Sequence, residues 1–87
     1  MSSAAAQATG HQLFVRHAKK EGKSVAILRA IDYGDSCVVE AEVFPLNGKG
    51  DAEYPGPYIF VDAFQATAFV TEAVESLIYL GCEVHAE

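Results

Sequence analysis

Asp62-Ala63-Phe64-Gln65-Ala66-Thr67-Ala68-Phe69-Val70-Thr71-Glu72-Ala73-Val74-Glu75-Ser76-Leu77-Ile78-Tyr79-Leu80-Gly81 is the stretch whose reading decides the fold. Asp62 can accept the free amide protons of a first helical turn, and Gln65 stands three residues on, near capping-box spacing. Gly81 suits the left-handed position that ends a helix. Neither Gly nor Pro interrupts the eighteen residues between them, a rod of ~27 Å. At ~100° per residue, Ala66, Phe69, Val70, Ala73, Val74, Leu77 and Leu80 share one face. Ala68, Thr71, Glu72, Glu75 and Tyr79 take the other. Phe64 and Ile78 lie on the flank, either under a loop or against a second subunit.

A helix with one apolar stripe needs an apolar surface to cover, and the preceding residues supply a sheet. Leu13 to Ala18 reads as a first strand, Ser24 to Tyr33 as a second rich in β-branched residues, Cys37 to Phe44 as a third, and Tyr58 to Val61 as a short fourth. Gly34-Asp35 suits a two-residue hairpin turn of the II′ type. That turn sets Ala26, Leu28 and Ala30 opposite Val43, Ala41 and Val39 on one wholly apolar face. Arg29 then meets Glu40 on the other face, an expected salt bridge, and Ile27 meets Glu42. A Glu21-Gly22 turn in the first hairpin would pair Val15 with Leu28 and Leu13 with Ala30 on the inner face. It would set Phe14 against Arg29 on the outer one, as a cation–π pair. Pro45 to Pro57, with three Pro and three Gly, reads as a long mobile loop. Cys82 to Glu87 alternates apolar and polar residues and reads either as an edge strand or as a frayed end. The expected class is α+β, an antiparallel meander of three to four strands in the order β-β-β-β-α, with the helix packed on one face.

The chain has 87 residues, 51% of them apolar, enough for one small domain at 11–87 behind a disordered tail at 1–10. No apolar run approaches the ~18 residues of a membrane span, and the first ten residues do not form a secretory signal. The expectation is a cytoplasmic protein with no membrane association. Cys37 and Cys82 are too few for a disulfide framework and read as free thiols. The net charge of −6 is split: residues 1–29 carry five cations against Glu21, a net +4, and residues 30–87 carry Lys49 against eleven acids, a net −10. The acidic balance opposes broad nucleic-acid binding, because phosphate neutralisation supplies most non-specific affinity. The basic beginning keeps single-stranded nucleic acid as the alternative partner, held by Arg16, Lys19, Lys20, Lys23 and Arg29 with aromatic stacking.

Motifs of catalysis and cofactor binding are weak. Cys82-Glu-Val-His85 has ligand spacing, but a zinc site would need Cys37 and His17 to converge on it. Asn47-Gly48-Lys49-Gly50-Asp51 lacks the phosphate-loop pattern and opens no helix. Glu40 and Glu42, ~7 Å apart along one strand face, read as charge partners rather than an acid–base pair. No Ser-His-Asp or Cys-His set is legible. The reading is therefore a non-catalytic protein without cofactor or metal.

The stretch Tyr58 to Gly81, Tyr-Ile-Phe-Val followed by the helix quoted above, resembles small uncharacterised proteobacterial proteins. The resemblance implies a bacterial cytosolic protein and nothing about activity. The β-β-β-β-α order is also similar to that of single-strand-DNA-binding modules of the Whirly and transcriptional-coactivator kind, in topology alone.

What remains is the sheet face that one helix cannot cover. In this register it carries Phe14, Val25, Ile27, Ile31, Tyr33, Val38 and Phe44 among Arg16, Arg29, Glu40 and Glu42, more apolar surface than a monomer usually offers water. The expected function is a binding surface for a second copy or another protein, made of Phe14, Arg16, Ile27, Arg29, Ile31, Val38 and Glu40.

Overall fold

A computed structural model describes residues 10–87; the tail expected at 1–10 lies, apart from Gly10, outside the described residues. The elements are β1 (His11–Lys20), β2 (Lys23–Asp32), β3 (Cys37–Val43), β4 (Tyr58–Phe60), α1 (Ala63–Tyr79) and β5 (Glu83–Ala86). They form an α+β fold: a five-stranded sheet in the order β4-β3-β2-β1-β5, every pairing antiparallel, with α1 across one face. The fifth strand exceeds the expected count. Residues 82–87 are resolved in favour of a strand, because β5 pairs Arg16 with Ala86 and Lys19 with Glu83 along the edge of β1.

The helix begins and ends where its sequence directs. Asp62 is the N-cap, and its Oδ1 accepts the Gln65 amide at 2.9 Å. At the other end Gly81 takes φ +95°, its amide donates to the Ile78 carbonyl, and the Cys82 amide donates to the Leu77 carbonyl at 3.0 Å. This is the Schellman arrangement, and it turns Cys82 into the core. Leu80, expected on the buried stripe, is instead the exposed C-cap, because the chain leaves helical phase there.

The middle hairpin has the register read from its turn, with Ala26↔Val43, Leu28↔Ala41, Arg29↔Glu40 and Ala30↔Val39. Leu28, Ala30, Cys37, Val39 and Ala41 form the sheet side of the core, and Ala66 and Val70 the helix side. The small alanines leave room for Phe69, whose ring lies 4.8 Å from that of Tyr58 and 5.2 Å from that of Phe60. Leu28 is buried, whereas Leu77 packs against the cluster only half-buried.

The first hairpin departs from its expected register. The pairing starts at Lys20↔Lys23 and Lys19↔Ser24, then slips by one to Ala18↔Ala26, Arg16↔Leu28, Val15↔Arg29 and Phe14↔Ala30, and returns at Gln12↔Ile31. Val25 and Leu13 are the unpaired extra residues of two compensating bulges. A slip of one exchanges the faces of a strand. Phe14 and Arg16 therefore stand on the helix side, and Val15 and His17 on the outer side. The gain is size: Phe14 packs against the core over Ala30, where Leu13 and Val15 were expected. The expected Phe14–Arg29 contact is replaced by Arg16, whose guanidinium carbon lies 4.8 Å from the Phe14 ring centroid.

Candidate functional site: the outer sheet face

Cross-strand registers lay out the uncovered face in three rows. The first runs His85, His17, Ile27, Glu42; the second Val15, Arg29, Glu40; the third Gln12, Ile31, Val38, Ile59. Of the residues expected there, the structure brings together Ile27, Arg29, Ile31, Val38 and Glu40. It does not bring in Phe14 or Arg16, which the bulges turn toward the helix. Ile27, Ile31 and Val38 are half-buried among their neighbours, and Ile59 on the edge strand is exposed.

Arg29 and Glu40 oppose one another at the centre, yet the expected salt bridge does not form. Among the described residues the ion-pair contacts within 4.0 Å both involve histidine, at His17–Glu87 and His85–Glu83. Arg29 and Glu40 thus face one another without an ion pair among the described residues, beside Ile27, Ile31 and Val38.

The loop at 45–57 partly roofs the β3 side. It is anchored by paired hydrogen bonds of 2.8 Å between Val43 and Glu53, and the Tyr54 hydroxyl donates to Glu42 Oε2 at 3.2 Å. Tyr54, Pro55 and Pro57 enclose with Arg29 and Glu40 a depression of about 290 Å³. The Glu42 carboxylate beside it, through its charge and then its hydrogen bond, pushes the Tyr54 phenol above its ordinary pKa. On the opposite border Gly10 runs so close to Ile31 and Tyr33 that an added Cβ would lie 2.3 Å from Ile31 Cγ2.

The nucleic-acid set is divided. Arg29 faces outward, Arg16 faces the helix, and Lys19, Lys20 and Lys23 gather at the hairpin end, with Lys19 opposite Glu83 of β5. The four zinc candidates are divided as well. Cys37 lies buried on the helix side, where desolvation, then the charges of Asp32 and Asp62, raise its thiol pKa, while His17 lies on the outer side. Among the described residues no three His, Cys, Asp or Glu side chains gather as a metal site, and no helix is long and apolar enough to cross a membrane. Phe64 and Ile78 are not covered by a loop: they are 81% and 56% exposed.

One constellation escaped the sequence altogether. At the hairpin end of the outer face, His17 Nε2 lies 2.8 Å from Ser24 Oγ, and His17 Nδ1 lies 2.7 Å from Glu87 Oε2. The three residues come from separate parts of the chain. The Lys19–Ser24 pairing of the first hairpin sets His17 and Ser24 on one face, and the addition of β5 beside β1 brings up Glu87, an event no local motif announces. A comparison with family models, with curated proteins and with solved structures finds no match.

Proposed function

We propose that this protein is a small interaction module whose outer sheet face joins a second copy of the chain about a two-fold axis passing between Arg29 and Glu40. The observation that carries this is the opposed charge of those two residues, which form no ion pair among the described residues, set among Ile27, Ile31 and Val38 on a face the helix does not cover. A two-fold interface places the same patch on both partners, so each Arg29 meets the other copy's Glu40. The aliphatic neighbours supply the driving force at ~25 cal/mol per Å² removed from water. The charges fix the register of the pair more than they strengthen it.

The test is a charge exchange. Arg29→Glu and Glu40→Arg, each alone, place like charges across the axis and should yield monomers by light scattering with size-exclusion chromatography. The double variant restores opposite charges and should restore the dimer, while Ile27→Lys should remain folded and monomeric. A parent protein that is monomeric at every concentration reached refutes the reading. Tight, salt-dependent binding of a labelled single-stranded oligonucleotide by that monomer would favour the lysines of the hairpin end instead.

A further inference from the structure

We propose that Ser24, His17 and Glu87 form an acyl-transfer relay that hydrolyses small acyl esters bound in the cleft beside Ser24. This inference does not depend on the association proposed above.

With the carboxylate ionised and the ring neutral, the hydrogen-bond chain admits one arrangement of its protons. An ionised Glu87 carboxylate can only accept, so His17 Nδ1 must carry the proton it donates across 2.7 Å. In the neutral ring Nε2 is then the acceptor, and the Ser24 hydroxyl 2.8 Å away must be the donor. That is the tautomer a serine nucleophile requires: the base is free to take the hydroxyl proton, and the acid holds the ring and stabilises the cation that forms. The imidazole is held on two sides, and its side chain is only 16% exposed, so it is fixed in place and partly shielded from water. The backbone holds the acid too, since the Glu87 amide donates to the Val15 carbonyl at 3.2 Å.

Space for a substrate lies beside Ser24, in a cleft that His17 and Glu87 do not themselves line. Ser24 lines an open cleft of about 710 Å³ between the β1–β2 turn and the loop at 45–52. Val25, Phe44 and Leu46 give it apolar lining suited to a short acyl chain, and its charged lining is balanced, Lys20 and Lys23 against Glu21 and Asp51.

The chemistry balances with water as the second substrate. Ser24 Oγ bonds to the ester carbonyl carbon as its proton passes to His17 Nε2. The tetrahedral intermediate expels the alkoxide, which takes that proton and leaves as the alcohol. Water then attacks the acyl-serine carbonyl and gives a proton to Nε2. The carboxylic acid departs as Ser24 Oγ recovers the proton.

The experiment uses the full chain with two probes: a fluorophosphonate, located by mass spectrometry, and p-nitrophenyl acetate turnover. The expected result is covalent labelling at Ser24 and multiple turnovers above the buffer rate. Ser24→Ala should abolish both, and His17→Gln should slow both by about 10²-fold or more. Glu87→Gln, on the exposed side of the ring, should slow them while leaving the circular-dichroism spectrum unchanged. Absence of label on Ser24 in the folded parent, under conditions that fully label a reference serine hydrolase, overturns the proposal. So does ester turnover that is unchanged in Ser24→Ala. Either result leaves His17 as a bridge tying β5 to β2.

Discussion

The two faces of β2 can be told apart by a pair of adjacent substitutions, Leu28→Ala and Ile27→Ala. Leu28 is 7% exposed, lies between Arg16 and Ala41, and packs in the cluster with Val70 and Ala66. Truncation removes three carbons, a transfer loss of ~2.4 kcal/mol at ~0.8 kcal/mol per group. The neighbours on its own face are largely alanines, Ala26, Ala30 and Ala41, which have no side chain with which to fill the void. A residual cavity of ~50 Å³ adds ~1.2 kcal/mol at ~24 cal/mol per Å³, for a total of ~3.6 kcal/mol. Against a stability of ~4–13 kcal/mol for a chain of this length, that is a large share. Ile27, half-buried on the outer face, should lose about 1 kcal/mol or less under dilute, monomeric conditions. Urea titration followed by far-ultraviolet circular dichroism measures both, with the midpoint shifting and the slope unchanged. A loss under ~1 kcal/mol for Leu28→Ala, or equal losses for the two variants, would refute the assignment of faces.

Two further outcomes test local features. Gly81→Ala should lower stability by about 1–2 kcal/mol in a denaturant titration, because φ +95° strains any side chain although an added Cβ would meet only the end of the Lys20 side chain, at 3.5 Å. Glu42→Gln should lower the Tyr54 phenol pKa, since removing the nearby negative charge favours phenolate; at a given alkaline pH the variant should show more tyrosinate absorbance than the parent, and superimposable titration curves would contradict the Tyr54–Glu42 contact.

The sequence by itself determined the helix, both of its caps, the Gly34-Asp35 hairpin and the alternation that buries Leu28, Ala30, Val39 and Ala41. These are short-range matters. Capping needs residues three apart, a two-residue turn fixes its own register, and an apolar stripe announces its period. Tertiary structure decided the rest. The register of β1 turned on whether Phe14 or Leu13 would fill the space over Ala30, a packing choice settled by a helix some fifty residues away, as the separation of Phe14 from Phe69 indicates. The two bulges that accommodate it are cheap for the backbone and leave no mark in composition. Pairing of β5 with β1 was equally illegible, because four residues of modest strand propensity become a strand only when an edge is offered. The candidate sites follow the same division. Arg29 and Glu40 could be placed face to face from the turn alone. The addition of Glu87 to Ser24 and His17 could not, since it depends on an edge strand pairing far along the chain.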